Sequence, residues 1–266
     1  MSLEIVLLCL VSVAAGAINS IAGGGTLLTF PVLMAILSRQ YGTGHVALAA
    51  VVANQTNTVS LVPGSLAAAI GYRRELVHSR RWLWWLIWPC LGGGTIGALL
   101  LIILPAGVFE SLVPWLILAA ALLFALQPKI ASWTGIGREH AHPSAARMAA
   151  IVLLQLAVSV YGGYFGAGIG ILMLAALALM GMADIHAMNA LKNVMAAAIN
   201  MIAALIFIVR GQVEWHYALP MIISAVIGGY LGAALALKVD RGLVRRIVVV
   251  IGFSLAAFYF YRQLTA

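Results

Sequence analysis

The sequence predicts an all-α polytopic membrane protein made of two inverted repeats of about five membrane segments each. Three observations carry that prediction. The 266 residues are 64% hydrophobic and only 8% charged, in successive apolar runs of about 20 residues. The two halves of the chain resemble each other, and the basic residues collect in alternate loops.

Apolar runs bounded by polar, Gly or Pro punctuation lie near 3–19, 23–38, 45–71, 82–104 and 109–127, then near 147–162, 166–182, 186–210, 216–237 and 243–262. The first is not a secretory signal, because Glu4 stands where a basic region belongs and further apolar runs follow. Between the two sets of five lies a polar stretch, giving a first repeat over 1–127, a cytoplasmic linker over 128–146 and a second repeat over 147–266.

The repeat is visible in particular residues. "GGGTIGALLLIILPAGVFESL" from Gly92 aligns without gaps with "IGGYLGAALALKVDRGLVRRI" from Ile227, pairing Gly93 with Gly228, Gly97 with Gly232 and Gly107 with Gly242. "AGGGTLLTFPVL" from Ala22 pairs with "GAGIGILMLAAL" from Gly166, and His45 pairs with His186. An odd number of crossings per repeat turns the second copy over. With both termini outside, the cytoplasmic loops hold Arg73, Arg74, Arg80, Arg81, Lys129, Arg138, Arg147, Lys238, Arg241, Arg245 and Arg246, against Arg39, Arg210 and Arg262 outside. That asymmetry favours the inverted arrangement, and it survives if the first two segments of each repeat are re-entrant rather than spanning.

The net charge of +8 does not point to nucleic acid, since the Lys and Arg residues sit in short inter-helix loops without interleaved aromatics. Cys9 and Cys90 lie in apolar stretches with no CxxC spacing and no His partner, so neither a disulfide nor a zinc site is expected. His140 and His142, two apart in a soluble loop, are weak evidence for a metal, and no metal or cofactor is expected. There is no GxxxxGK[ST] motif for nucleotide phosphates and no His/Asp/Glu cluster with catalytic spacing, which argues against an enzyme.

The chemistry concentrates at two glycine-rich interruptions, "NSIAGGGT" (Asn19 to Thr26) and "YGGYFGAGIG" (Tyr161 to Gly170). One reading is close helix packing, the one preferred for Gly93/Gly97 and Gly228/Gly232 at GxxxG spacing. The other is a broken or re-entrant hairpin whose exposed N–H groups and positive helix end face an anion, two such tips meeting near the midplane.

Polar side chains line two other segments. At 100° per residue, Asn189, Asn193 and Asn200 fall within about 40° of one another and Lys192 lies about 60° to one side. A lysine within a membrane segment costs about 2.5–3.5 kcal/mol on insertion scales and calls for a partner, unless it snorkels to the interface. Asn54, Asn57 and Thr58 share a face within "NQTNT", as hydrogen-bonding glue or as a substrate surface, and Pro63 adds a kink. His45 and His186 open paired segments, as interfacial caps or as titrating gates. Trp82, Trp84, Trp85 and Trp88 after Arg80 and Arg81 read as an aromatic belt.

The hairpin "INSIAGGGTLLTFPVL", its copy "YFGAGIGILML" and the twin GGxxGA segments resemble the 4-toluene sulfonate uptake permease family, also called the sulfite exporter TauE/SafE family. The second copy departs from the pattern in having Ala176 roughly where Pro31 stands in the first. The resemblance implies a secondary transporter of small sulfur-containing anions, sulfite or organosulfonates such as sulfoacetate, in a bacterial or archaeal inner membrane. A channel or facilitator for a small anion or neutral solute is the alternative. On that reading the backbone of Gly23, Gly24, Gly25 and Thr26 and of Gly166, Gly168 and Gly170 binds the sulfonate oxygens, and Lys192 supplies the countercharge. Asn19, Ser20, Asn54, Gln55, Asn57, Tyr164 and Asn193 complete the substrate site, His45 and His186 are gating or proton-linked, and the partners are the anion and the lipid bilayer. Direction, coupling ion and a homodimeric state stay open.

Overall fold

The computed structural model describes residues 3–71, 76, 80–134, 145–182, 184–210, 212–235 and 241–265. They hold ten α-helices: α1 (Leu3–Ala22), α2 (Thr26–Tyr41), α3 (Val46–Gly71), α4 (Arg80–Ile103), α5 (Ala106–Thr134), α6 (Ala145–Tyr164), α7 (Ile169–Leu179), α8 (Ile185–Arg210), α9 (Trp215–Leu235) and α10 (Arg241–Thr265). A short 3-10 turn, Thr43–His45, leads into α3. Each helix falls on one predicted apolar run, and no strand occurs among the described residues. The chain is a polytopic all-α membrane protein.

Helix length separates two kinds of element. Among the described residues, α1, α4, α5, α8 and α10 contain stretches long and apolar enough to cross a membrane. At about 1.5 Å per residue, α7 is about 16 Å long and α2 about 24 Å, both short of a hydrocarbon core of about 30 Å. The arms that leave the two glycine tips are therefore the short elements. α7 stops where Gly181 takes up φ +91°.

Polarity is distributed as a bilayer requires. Leu10, Ile103, Val209 and Val250 are exposed, whereas Asn54, Gln55, Thr56, Asn57, Lys192 and Asn193 are buried. Trp84, Trp85 and Trp88 lie exposed along α4 as a belt would. Cys9 and Cys90 are free thiols.

Packing follows a pattern in which exchanging each helix for the one five later reproduces most neighbours. α1 lies on α9 as α6 lies on α4, α3 lies on α9 as α8 lies on α4, and α3 and α8 pack on each other. The two halves interlock, each glycine hairpin leaning on the fourth helix of the other half. The GxxxG pairs make this approach close. A Cβ on Gly93 would sit 2.7 Å from the Leu156 carbonyl and one on Gly97 2.7 Å from the Tyr164 nitrogen, both on α6. On the other side, Gly232 would meet the Ala17 Cα at 2.5 Å, and Gly228 abuts the Val13 carbonyl, both on α1.

α5 runs on to Thr134, beyond the residue 127 at which the first repeat was expected to end. Arg138, His140 and His142 of the linker, Arg73 and Arg74, and Lys238 lie outside the described residues.

Candidate functional site at the glycine tips

The two tips share one backbone solution. Gly23 has φ +77° and its N–H reaches back to the carbonyls of Ile18 at 3.2 Å and Asn19 at 3.0 Å. Gly166 has φ +82° and its N–H reaches the Tyr161 carbonyl at 3.1 Å. Both glycines end a helix in the left-handed conformation that lacks a Cβ penalty only for Gly. This geometry pairs Gly23 with Gly166, one residue away from the sequence alignment. Gly168 is also left-handed, at φ +76°, and caps α7.

The tips touch. A Cβ added to Gly23 would lie 2.7 Å from the Gly170 Cα, so no side chain fits between the two hairpins. Both rest on α5: Gly24 abuts the Phe124 ring, and Gly168 approaches Ala120 and Phe124 at 3.6 Å. The glycines thus do two things, letting the hairpins meet and breaking each helix where they do.

Four helix ends converge here with alternating polarity. α2 and α7 begin at the tips with Gly25 and Gly168 as N-caps, and neither supplies a side-chain cap bond. In the first turns the Leu27, Leu28 and Ile171 N–H groups reach the Gly24, Gly25 and Gly168 carbonyls at 3.1, 3.0 and 3.2 Å, and each helix start marks the positive end of its dipole. α1 and α6 end at the tips, presenting their negative ends. Lys192 Nζ donates to the Ser20 carbonyl in the last turn of α1 at 3.2 Å. Asn54 Nδ2 donates to the Tyr164 carbonyl at the end of α6 at 2.9 Å. Each central helix, α8 and α3, therefore ties down the hairpin of the opposite half. Tyr161 adds a brace, its hydroxyl donating to the Ala167 carbonyl at 2.7 Å.

The burial of Lys192, 1% exposed, decides against snorkelling to the interface. Asn193 and Asn189 are buried beside it, and among the described residues Asn193 Nδ2 and Asn189 Oδ1 have no hydrogen-bond partner. The same holds for Ser20 Oγ, the Tyr164 hydroxyl, Asn54 Oδ1, Gln55 Oε1 and both amide atoms of Asn57. A buried polar group left unpaired costs about 1–3 kcal/mol, so each of these atoms calls for a water or a ligand.

Other predicted residues are placed differently. Asn19 donates to Ser65 Oγ at 2.9 Å, bracing α1 on α3. Gln55 turns toward Gln212, just before α9, at 3.5 Å. Thr26 is half-buried as the first residue of α2. His45 and His186 are exposed at the starts of their helices, and Asp184 Oδ1 accepts the His186 N–H at 2.8 Å. That is the position of an end cap.

The sequence profile described as sulfite exporter TauE/SafE matches residues 8–259. The chain belongs to that family. It is 30% identical over 260 residues to a probable membrane transporter protein of Haemophilus influenzae, covering 97% of this chain and 94% of that one. It is 28% identical over 251 residues to the probable membrane transporter protein YfcA of Escherichia coli K12, covering 94% and 87%. A probable membrane transporter protein, ORF9, of a Sinorhizobium species is 28% identical over 245 residues, covering 91% and 87%. No solved structure matches significantly. The TauE/SafE chain is thus a multi-pass membrane transporter, and the family implies a small anion as cargo.

In this TauE/SafE chain an open cavity of about 500 Å³ lies away from the tips, lined by Thr43, Glu110, Tyr259 and Arg262 among others. The tips themselves are closed, with Gly23, Gly24, Gly168 and Gly170 buried. Sequence reasoning passed over Phe124, the shared floor of both tips, because a phenylalanine in an apolar run carries no signal. It also passed over the strap in which the Glu214 N–H donates to Thr56 Oγ1 at 3.0 Å and Tyr41 donates to Glu214 Oε1 at 2.6 Å.

Proposed function

We propose that the protein carries a small sulfur oxyanion, sulfite or an organosulfonate such as sulfoacetate, across the inner membrane by alternating access. The observation that carries this reading is the contact of Gly23 with Gly170, which brings the uncapped N-termini of α2 and α7 together beside a buried lysine. Three sulfonate oxygens are acceptors only, and donors surround the tips: the N–H groups that open α2 and α7, Asn193 Nδ2, the Ser20 and Tyr164 hydroxyls and, beside them, Lys192 Nζ. The inverted repeat, with both termini outside, supplies two related conformations in which the tips open to one side or the other. Burial of the tip residues means that an anion enters only after helices move, which favours a carrier over a standing channel.

The test is a thermal-shift screen of the purified protein against sulfite, sulfoacetate, isethionate, taurine and thiosulfate. A ligand of the folded state at a hundred times its Kd adds about 2.7 kcal/mol to stability, visible as a raised midpoint. A saturable rise with sulfite or a sulfonate is expected. No rise with any of the five counts against the reading.

A further inference from the structure

We propose that Asn54 and Asn57 of α3, with the C-terminal end of α6, form a site for an alkali cation beside the anion site, so that the anion moves with a bound cation. The proposal rests on the tips being the transport site.

The orientation of Asn54 is fixed by chemistry. Its amide bonds the Tyr164 carbonyl at 2.9 Å, and a carbonyl only accepts, so the atom facing it is Nδ2. Oδ1 then points elsewhere as an acceptor, and it has no hydrogen-bond partner among the described residues although Asn54 is 0% exposed. Asn57 lies one turn further along the same face, 1% exposed, and among the described residues neither Oδ1 nor Nδ2 has a partner. Thr58 is not available to them, since its hydroxyl is spent on the Asn54 carbonyl at 2.8 Å.

A deprotonated oxyanion has no hydrogen to give an acceptor oxygen. The Asn54 oxygen lies at the negative end of α6 and the Asn57 oxygen one helical turn along α3, and acceptor oxygens so placed suit positive charge. Their neutrality selects its kind: a divalent ion draws on carboxylates, and no group of three His, Cys, Asp or Glu gathers among the described residues. A proton is equally unsuited, because amide oxygens do not titrate. Neutral side-chain and backbone oxygens at a broken helix end are ligands that replace the hydration shell of sodium or potassium. The four helix ends would then be used in pairs, the N-termini of α2 and α7 for the anion and the C-terminal side for the cation.

The experiment compares the melting midpoint of the purified protein in sodium chloride, potassium chloride and N-methylglucamine chloride at equal ionic strength, without sulfite. A saturable rise of about a few degrees in one alkali salt over N-methylglucamine is expected. Asn57→Ala should abolish it and leave the protein folded, since among the described residues this side chain makes no hydrogen bond. Asn57→Asp should shift the half-saturating concentration at least about tenfold lower. Equal midpoints in all three salts, as when the oxygens are satisfied by water, or a rise unchanged in Asn57→Ala, would overturn the proposal. Sulfite added in N-methylglucamine buffer checks the anion site separately: a sulfite shift without a cation shift sinks only the cation site.

Discussion

Lys192, on the eighth helix, holds the carbonyl of Ser20, 172 positions earlier in the chain, at 3.2 Å. That bond puts a buried cation at the negative end of α1, where the first glycine tip begins. It stabilises the broken helix and places positive charge within the region where the tips meet. The matching bond from Asn54 to Tyr164 does the same work in the other half with a neutral donor. The two bonds differ in their donors, a lysine Nζ on one side and a side-chain amide on the other.

Lys192→Ala should remove sulfite binding while leaving the protein folded. Stability moves by less than about 2 kcal/mol, because losing the donor to Ser20 and relieving a buried charge act in opposite directions. Affinity has no such compensation, and a fall of at least about tenfold is expected by calorimetry or thermal shift. Undiminished affinity would exclude Lys192 from the site.

Gly23→Ala compared with Gly42→Ala separates backbone strain from packing. Both glycines have positive φ, +77° and +81°, so each substitution is strained, and Gly42, with ψ 168°, lies in a region essentially reserved for glycine, at a cost of about 1–3 kcal/mol. A Cβ at Gly42 meets nothing within 4 Å, whereas at Gly23 it meets Gly170 at 2.7 Å. Gly23→Ala should therefore abolish transport, and Gly42→Ala, whatever its cost in stability, should retain it. Equal effects would show that contact between the tips is not needed.

Gly97→Ala and Gly232→Ala test the interlocking of the halves. Each Cβ would press into backbone of the opposing helix, the Tyr164 nitrogen on α6 and the Ala17 Cα on α1. A destabilisation of about 1–3 kcal/mol is expected for each. Gly107→Ala, where nothing lies within 4 Å, should be neutral or mildly stabilising, read by thermal unfolding in detergent.

Orientation is tested by cysteine labelling on a Cys9→Ala, Cys90→Ser background. A cysteine replacing Ser144 in the linker should resist an impermeant maleimide applied to intact cells and react in inverted vesicles. The opposite pattern would reverse the topology drawn from the basic loops.

Most of the architecture could be read before the structure, for a physical reason. In an apolar chain each polar or glycine residue is costly, so those that remain stand out, which is why the tips, the α3 polar run and Lys192 were found from sequence. Boundaries were less legible. The fifth apolar run was expected to end near 127, yet α5 continues through Pro128 to Thr134. The pairing of Gly23 with Gly166 was missed by one residue, because glycines at 166 and 168 offer two registers that only the backbone separates: the Gly166 N–H reaches Tyr161 five residues back, as the Gly23 N–H reaches Ile18. Phe124 and Tyr161 support the tips but look like any aromatic in a membrane helix. Gln55 sits in the polar run that drew attention, but its amide serves the Gln212 contact, because successive helical residues point 100° apart.

The most direct test of the central claim is counterflow in proteoliposomes. Vesicles loaded with unlabelled sulfite, or with the sulfonate that shifts the melting midpoint, are diluted into a trace of the labelled anion. The account predicts saturable uptake accelerated by the anion inside, and its loss in Lys192→Ala. Flux that rises linearly with concentration and is indifferent to the anion on the other side would contradict it.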